Sequence, residues 1–315
     1  MFRPPGWPGS ESCSQSHGTR TVQMSRQVAG SAAAAAKPGM LAIITGAGTG
    51  IGAALARRLA LAGHDVLAVG RRAAPLQRTA LGSPAGRVHL CAADVASVEG
   101  RRRILEALPA GRQVNLVVQN AAVGVPATLE SVSEAHFTEA LAVNVTGPLF
   151  LVQALLPRLA AGARILHVGT GLAHGPRAQL GGISYAVSKA AFHRLYEQLN
   201  VELAARDIVV GSARPGVVAT EGMREHVAQA RAVGLPHAVW FEELLARGED
   251  EPAVRVAAFL EFLLTRAGAE EFAASEWHIN DQRHWERWDD PALRGPAADR
   301  QLTPPGSRPV VPSKM

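Results

Sequence analysis

A chain of 315 residues with 47% apolar content is long enough to bury one large α/β core, or two smaller ones. Its two cysteines, Cys13 and Cys91, cannot build a disulfide framework or a zinc site, which fits a reducing compartment and no metal. The net charge of +5 comes from scattered arginines, and the one dense run, Arg101-Arg102-Arg103, falls on an expected helix with few aromatics nearby; no nucleic-acid stripe is expected, nor, without 18 consecutive apolar residues, a membrane span.

Residues 1–39 are rich in Gly, Pro, Ser and Ala and read as a disordered or targeting extension. Met40 to Thr45 is short and apolar, as in a buried parallel strand. Gly46-Ala47-Gly48-Thr49-Gly50-Ile51-Gly52 follows at once, and a helix then runs to Gly63. Strand, glycine turn and helix in that order make a phosphate site, because backbone N–H groups and the helix N-terminus face an anion that glycine lets approach. The alternative is a plain tight turn. A second strand over 64–70 ends in Gly70-Arg71-Arg72. Dinucleotide folds that take NAD carry an acid there for the ribose 2′-OH; an arginine pairs instead with a 2′-phosphate, which points to NADP. Read blandly, both arginines are ordinary surface charges.

Strands are expected over 87–91, 114–119, 164–168, 208–213 and 275–279, with helices over 97–108, 133–159, 184–206 and 252–266. This alternation predicts a Rossmann-type doubly wound parallel sheet in a single three-layer αβα domain, 40–288. Residues 217–250 interrupt it with a polar helical segment carrying Met223, Trp240 and Phe241. Its place after a strand's C-terminal end suits a substrate lid; a surface helical pair is the other reading. The stretch 289–315 is Pro-rich, reads as a disordered tail, and ends Ser313-Lys314-Met315, one substitution from a peroxisomal address and more simply a chance match.

Tyr185 and Lys189 lie four residues apart on the helix expected from 184, so both side chains leave one face. A nearby cation favours the phenolate, and such a tyrosine can act as general acid or base. The chain has 29 Arg and 3 Lys, and Lys189 is the one lysine outside the irregular ends. Lysine is a compact point donor with a movable pKa, which arginine is not. Spacing alone leaves this reading level with a solvated lysine beside a packing tyrosine.

In this order the pieces resemble the short-chain dehydrogenase/reductase family over about residues 40–280. The resemblance rests on Thr45-Gly46 with Gly50 and Gly52, Asp94-Val95, Asn120-Ala121, Asn144, Tyr185 with Lys189, and Pro215-Gly216 with Thr220 behind it. A narrower similarity, to the sepiapterin reductase/benzil reductase branch, lies in Thr220 to His226 and in Glu276 to Asp281. The family implies an NADP(H)-dependent reduction of a small-molecule carbonyl. Tyr185 would donate a proton to the carbonyl oxygen. Lys189 would bind the nicotinamide ribose and lower the Tyr185 pKa, and Asn144 would hold a relay water. Gly46, Gly50 and Gly52 would line the pyrophosphate, with Gly48, Thr49 and Ile51 of the same turn in the cofactor site. Arg71 would meet the 2′-phosphate, Asp94 and Val95 the adenine, and Asn120 would brace the fourth strand. Ala121, Pro215, Gly216, Val218 and Thr220 would complete the cofactor site. The family also implies a homodimer or homotetramer through the helices at 133–159 and 184–206. The expected compartment is the cytoplasm, with an organelle or the peroxisome as alternatives.

Two departures stand out. The family's Asn-Ala-Gly is Asn120-Ala121-Ala122, and its Ser-Ser after the fifth strand is Gly169-Thr170, set two residues further ahead of the tyrosine. Threonine keeps the hydroxyl that holds a substrate carbonyl but has a stiffer χ1. The missing serine leaves a second function open: a non-enzymatic NADP-binding sensor or scaffold.

Overall fold

A strand buried on both faces needs apolar side chains at every position, not every second one. Leu41–Thr45 meets that demand, and all five of its residues are buried in the computed structural model. The structure describes residues 39–174, 177–294 and 308–309. The expectations for residues 1–38 and for the tail beyond 294, Ser313-Lys314-Met315 included, lie outside these.

The strands are β1 (Leu41–Thr45), β2 (Asp65–Gly70), β3 (Val88–Ala92), β4 (Val114–Gln119), β5 (Leu159–Val168), β6 (Arg177–Ala178), β7 (Val209–Arg214), β8 (Trp277–His278) and β9 (Arg308–Pro309). Seven form one sheet in the order β3-β2-β1-β4-β5-β7-β8, every neighbouring pair parallel. The short β6 and β9 pair antiparallel to each other. The chain reverses direction across the sheet between β1 and β4, and this switch point opens a crevice at the carboxyl ends of the strands.

The helices are α1 (Gly50–Leu61), α2 (Ala73–Leu81), α3 (Val98–Glu106), α4 (Glu134–Leu141), α5 (Gly147–Leu155), α6 (Ile183–Leu203), α7 (Glu221–Ala232), α8 (His237–Ala246), α9 (Ala253–Thr265) and α10 (Ala269–Ala274). They cover both faces. Ala42 and Ile44 pack with Leu55, Leu59, Phe259 and Leu263 of α1 and α9. Leu41 and Ile43 pack with Ile104, Leu151, Leu155 and Leu199 of α3, α5 and α6. The alternation of β1 side chains thus feeds two cores, and each fully buried Leu or Ile contributes roughly 1.5–3 kcal/mol.

Two expectations need correction, the start of β5 and the start of the tail. The helix expected over 133–159 runs from Glu134 to Arg158, and a π-turn, Ala142–Thr146, lies inside it between α4 and α5. Pro148 at the start of α5 has no N–H to continue the ladder, and a π-turn absorbs the mismatch. The strand β5 starts at Leu159 rather than 164, its pairing with β4 irregular between Leu159 and Arg164. Glu134–Arg158 is also long and apolar enough, by length and composition, to cross a membrane. In the fold it is a core element: Ala140, Val143, Leu151, Val152 and Leu155 are buried. Finally, Asp289, where the tail was expected to begin, belongs to the packed chain. Trp285 and Trp288 are buried, and the Asp289 side chain is fully buried against Arg255.

Candidate active site

The glycine turn takes the form its residues allow. Gly46 and Gly50 have φ of +67° and +55°, a region that costs other residues steric strain. A Cβ on Gly52 would run into the Gly46 carbonyl. Thr45 Oγ1 donates to Val118 O at 3.2 Å and accepts from Asn120 N at 3.0 Å and Ala121 N at 3.1 Å. Asn120 Nδ2 donates to Thr45 O at 2.9 Å and Gly46 O at 3.2 Å. Asn120 therefore ties the end of β4 to the turn after β1. Thr49 leaves the α1 N-terminus without a side-chain cap, and no acid sits in the first turn, so its free N–H groups suit an anion.

These elements line a cleft of about 1200 Å³. All the expected cofactor residues line it except Gly52, and Thr170 lines it too. The space and the uncapped N–H groups fit a dinucleotide. Arg71 and Arg72 stand at its rim, paired with Glu139 at 3.5 Å and Glu221 at 2.7 Å. Both pairs are exposed and hold little energy, so an arriving phosphate competes readily. Of the lid residues, Met223, His226, Gln229 and Phe241 line the cleft. Burial drives the His237 imidazole down to about 4, and the ring stacks on His226 at 5.4 Å. Trp240 instead packs on Phe241 at 4.8 Å.

Tyr185 and Lys189 leave the first two turns of α6 toward the cleft. Thr170 stands beside the Tyr185 phenol in the cleft, and its hydroxyl accepts from Leu172 N at 3.4 Å. Burial raises the phenol pKa, and the Thr170 hydroxyl opposes the rise. Lys189 Nζ donates to Val168 O at 2.8 Å and lies 4.5 Å from the centre of the Phe192 ring. Burial brings its own pKa down to about 7, with Glu276 pulling the other way.

Asn144 sits in the π-turn and does not line the cleft. Its Nδ2 donates to Val123 O at 2.7 Å and Ser188 Oγ at 2.9 Å, and its Oδ1 accepts from Val123 N at 2.9 Å. Both amide hydrogens are committed to protein partners, so the side chain braces the loop after β4 against α6. Ser184 points away as expected, donating to Val125 O at 3.1 Å. That same loop contains Gly124, which the sequence did not single out: a Cβ there would lie 2.6 Å from Tyr185 Cβ. Its signal, a glycine four residues beyond Asn120, is too common to notice. Glu276 was quoted only for a resemblance, yet its carboxylate sits against Gly169, 2.5 Å from where a Cβ would be.

The model of the short chain dehydrogenase family matches residues 40–231. Among curated proteins, a (3R)-3-hydroxyacyl-CoA dehydrogenase of Mus musculus is 31% identical over 235 residues, covering 70% of this chain and 88% of the relative. A rhamnolipids biosynthesis 3-oxoacyl-[acyl-carrier-protein] reductase of Pseudomonas aeruginosa is 31% identical over 219 residues, covering 64% and 84%. Among solved structures, the KRED1-Pglu enzyme superposes with a TM-score of 0.68 at 27% identity, over 75% of this chain and 99% of that one.

Proposed function

The chain belongs to the short-chain dehydrogenase family of oxidoreductases, and from that premise we propose that it reduces a small-molecule ketone to an alcohol with NADP(H). The observation that carries the reading is that Tyr185, Lys189 and Thr170 line one cleft together with the glycine turn. Bound nicotinamide supplies hydride; the chain's residues supply the rest. The raised phenol keeps its proton at neutral pH and can give it to the carbonyl oxygen. Thr170, beside the phenol, offers a hydroxyl to the same oxygen, taking the serine's part. Lys189 and Asn144 act beneath, holding the Val168 carbonyl and the loop at Val123. Arg71 and Arg72, with no acid at the end of β2, favour the 2′-phosphate. Met223 and Phe241 on the lid helices favour an apolar or aromatic carbonyl. Two copies would associate through the exposed sides of α5 and α6, where Phe150, Val187 and Val201 remain accessible.

The test is oxidation of NADPH with a panel of diketones, quinones and pterins. Turnover on part of the panel is expected, and Tyr185→Phe should lower it by about 10²–10⁴-fold while NADPH affinity holds. Cofactor bound with no turnover anywhere on the panel overturns the enzyme reading in favour of a nucleotide sensor.

A further inference from the structure

Glu276, just before β8, has a side chain only 7% exposed. Its Oε1 accepts from Ser212 Oγ at 2.9 Å and lies 3.7 Å from His193 Nδ1. Its Oε2 lies 2.7 Å from His174 Nε2 and 2.8 Å from Arg214 Nε. The carboxylate reaches this place because position 169 has no side chain: a Cβ there would meet Glu276 Oε1 at 2.5 Å and Ser212 Oγ at 3.1 Å. The residue before Gly169 offers the carbonyl that holds Lys189, and the residue after it is Thr170.

We propose that Glu276 is a positioning residue of the reaction: its carboxylate fills the space beside Gly169, tethers the turn from Thr170 to His174, and sets the charge around Lys189. The proposal rests on the reductase reading. A serine side chain at 169 and a carboxylate from the β8 edge are alternative fillings of one volume, and this chain uses the second. The charged and titratable groups facing Glu276 are His174 on the turn, Arg214 on β7, and Lys189, His193 and Tyr196 on α6. Behind them His167, fully buried and stacked on Phe192, is driven down to about 3 and stays neutral. Glu197 stands 3.6 Å from the far side of His193. Within this set Glu276 is the acid that opposes the burial of the Lys189 ammonium. His174, His193 and Glu276 also offer atoms within 4.8 Å of one another, a spacing open to a metal ion. The Arg214 guanidinium already on the carboxylate opposes a cation there, and the measurements are made after chelator treatment.

With 3 lysines in the chain, the titration of Lys189 can be followed directly by NMR of protein labelled with lysine carrying 13C at the ε-carbon, its signal identified by its loss in Lys189→Arg. In Glu276→Gln the Lys189 pKa should fall by about 1 unit, as expected on removing a nearby opposite charge, and the kcat–pH profile should move with it. Should Glu276→Gln fail to fold, Gly169→Ser reads the same point, since its side chain drives the carboxylate out and should lower the Lys189 pKa likewise. Gly169→Ser alone should also lower Tm, and Gly169→Ser with Glu276→Ala should recover most of the loss. An unmoved Lys189 pKa in a folded variant, or additive losses in the double variant, overturns the proposal. Titration and Tm need no turnover, so a failure of the reductase reading would show separately.

Discussion

Thr170 and Tyr185 share the cleft because the turn after β5 sets one beside the other, and the proposed chemistry needs both hydroxyls. Thr170→Val keeps the shape and removes the hydroxyl. It should cut kcat by about 10²-fold or more, on the scale of losing one donor to a developing oxyanion, while Thr170→Ser stays near the parent rate. Equal rates for Val and Ser would remove Thr170 from the site. Gly124 makes a complementary test. An added methyl would lie 2.6 Å from Tyr185 Cβ, and the nearest atoms belong to the rigid base of the side chain rather than its far end. Gly124→Ala should therefore push the phenol away from Thr170 and lower kcat with little change in NADPH affinity. Steady-state rates with cofactor-binding measurements check both, and an unaltered kcat in Gly124→Ala would show that Tyr185 tolerates the shift.

At the scale of the element, α6 carries the Tyr185 phenol at its start and a buried amine one turn on. Helix spacing makes Tyr185 and Lys189 neighbours, and packing against β5 makes the lysine pay a desolvation cost. In the unfolded chain that amine keeps its proton to about pH 10.4; folded, it loses it near 7. Between those values the unfolded state binds more protons, so this group's contribution to stability rises with pH across the window. Below pH 7 both states are protonated, and the cost of burying the charge is fully present. Urea midpoints at pH 6 and pH 9 should diverge more for the parent than for Lys189→Met, which has nothing to titrate; parallel shifts would show that the amine is not buried as a charge. The pair itself was legible because four-residue spacing is local, and so was the strand–glycine–helix start. The π-turn between α4 and α5 was not, since the pattern of apolar residues continues through it. Gly124 and Glu276 were hidden as well. What each is for depends on a side chain brought to it from a distant part of the chain.

Across the whole molecule, the chain after β8 folds back and locks the far edge of the cleft. Arg255, fully buried, holds Glu251 Oε2 at 2.6 Å and Asp289 Oδ1 at 2.9 Å. Its guanidinium lies 5.0 Å from the Trp285 ring centre and 5.3 Å from that of Trp288. Arg294 adds a second contact to Asp289 at 2.7 Å. The clamp reaches the cofactor cleft through Glu251, whose backbone N donates to Val217 O at 2.6 Å and whose Cγ would be 2.9 Å from a Cβ on Gly216. The net worth of the buried ion pairs is small, but removing one partner strands the others without water. Arg255→Met should cost about 3–5 kcal/mol and lower Tm by about 10 °C. NADPH affinity should fall in the same variant, measured well below its Tm, because the Pro215–Val218 edge loses its support. Arg283→Ala supplies the contrast: its pair with Asp281 is exposed on the arginine side and should leave Tm unchanged. If Arg255→Met behaved like Arg283→Ala, the C-terminal segment would be a passenger on the fold. A loss of both stability and cofactor affinity would make it part of the site's frame.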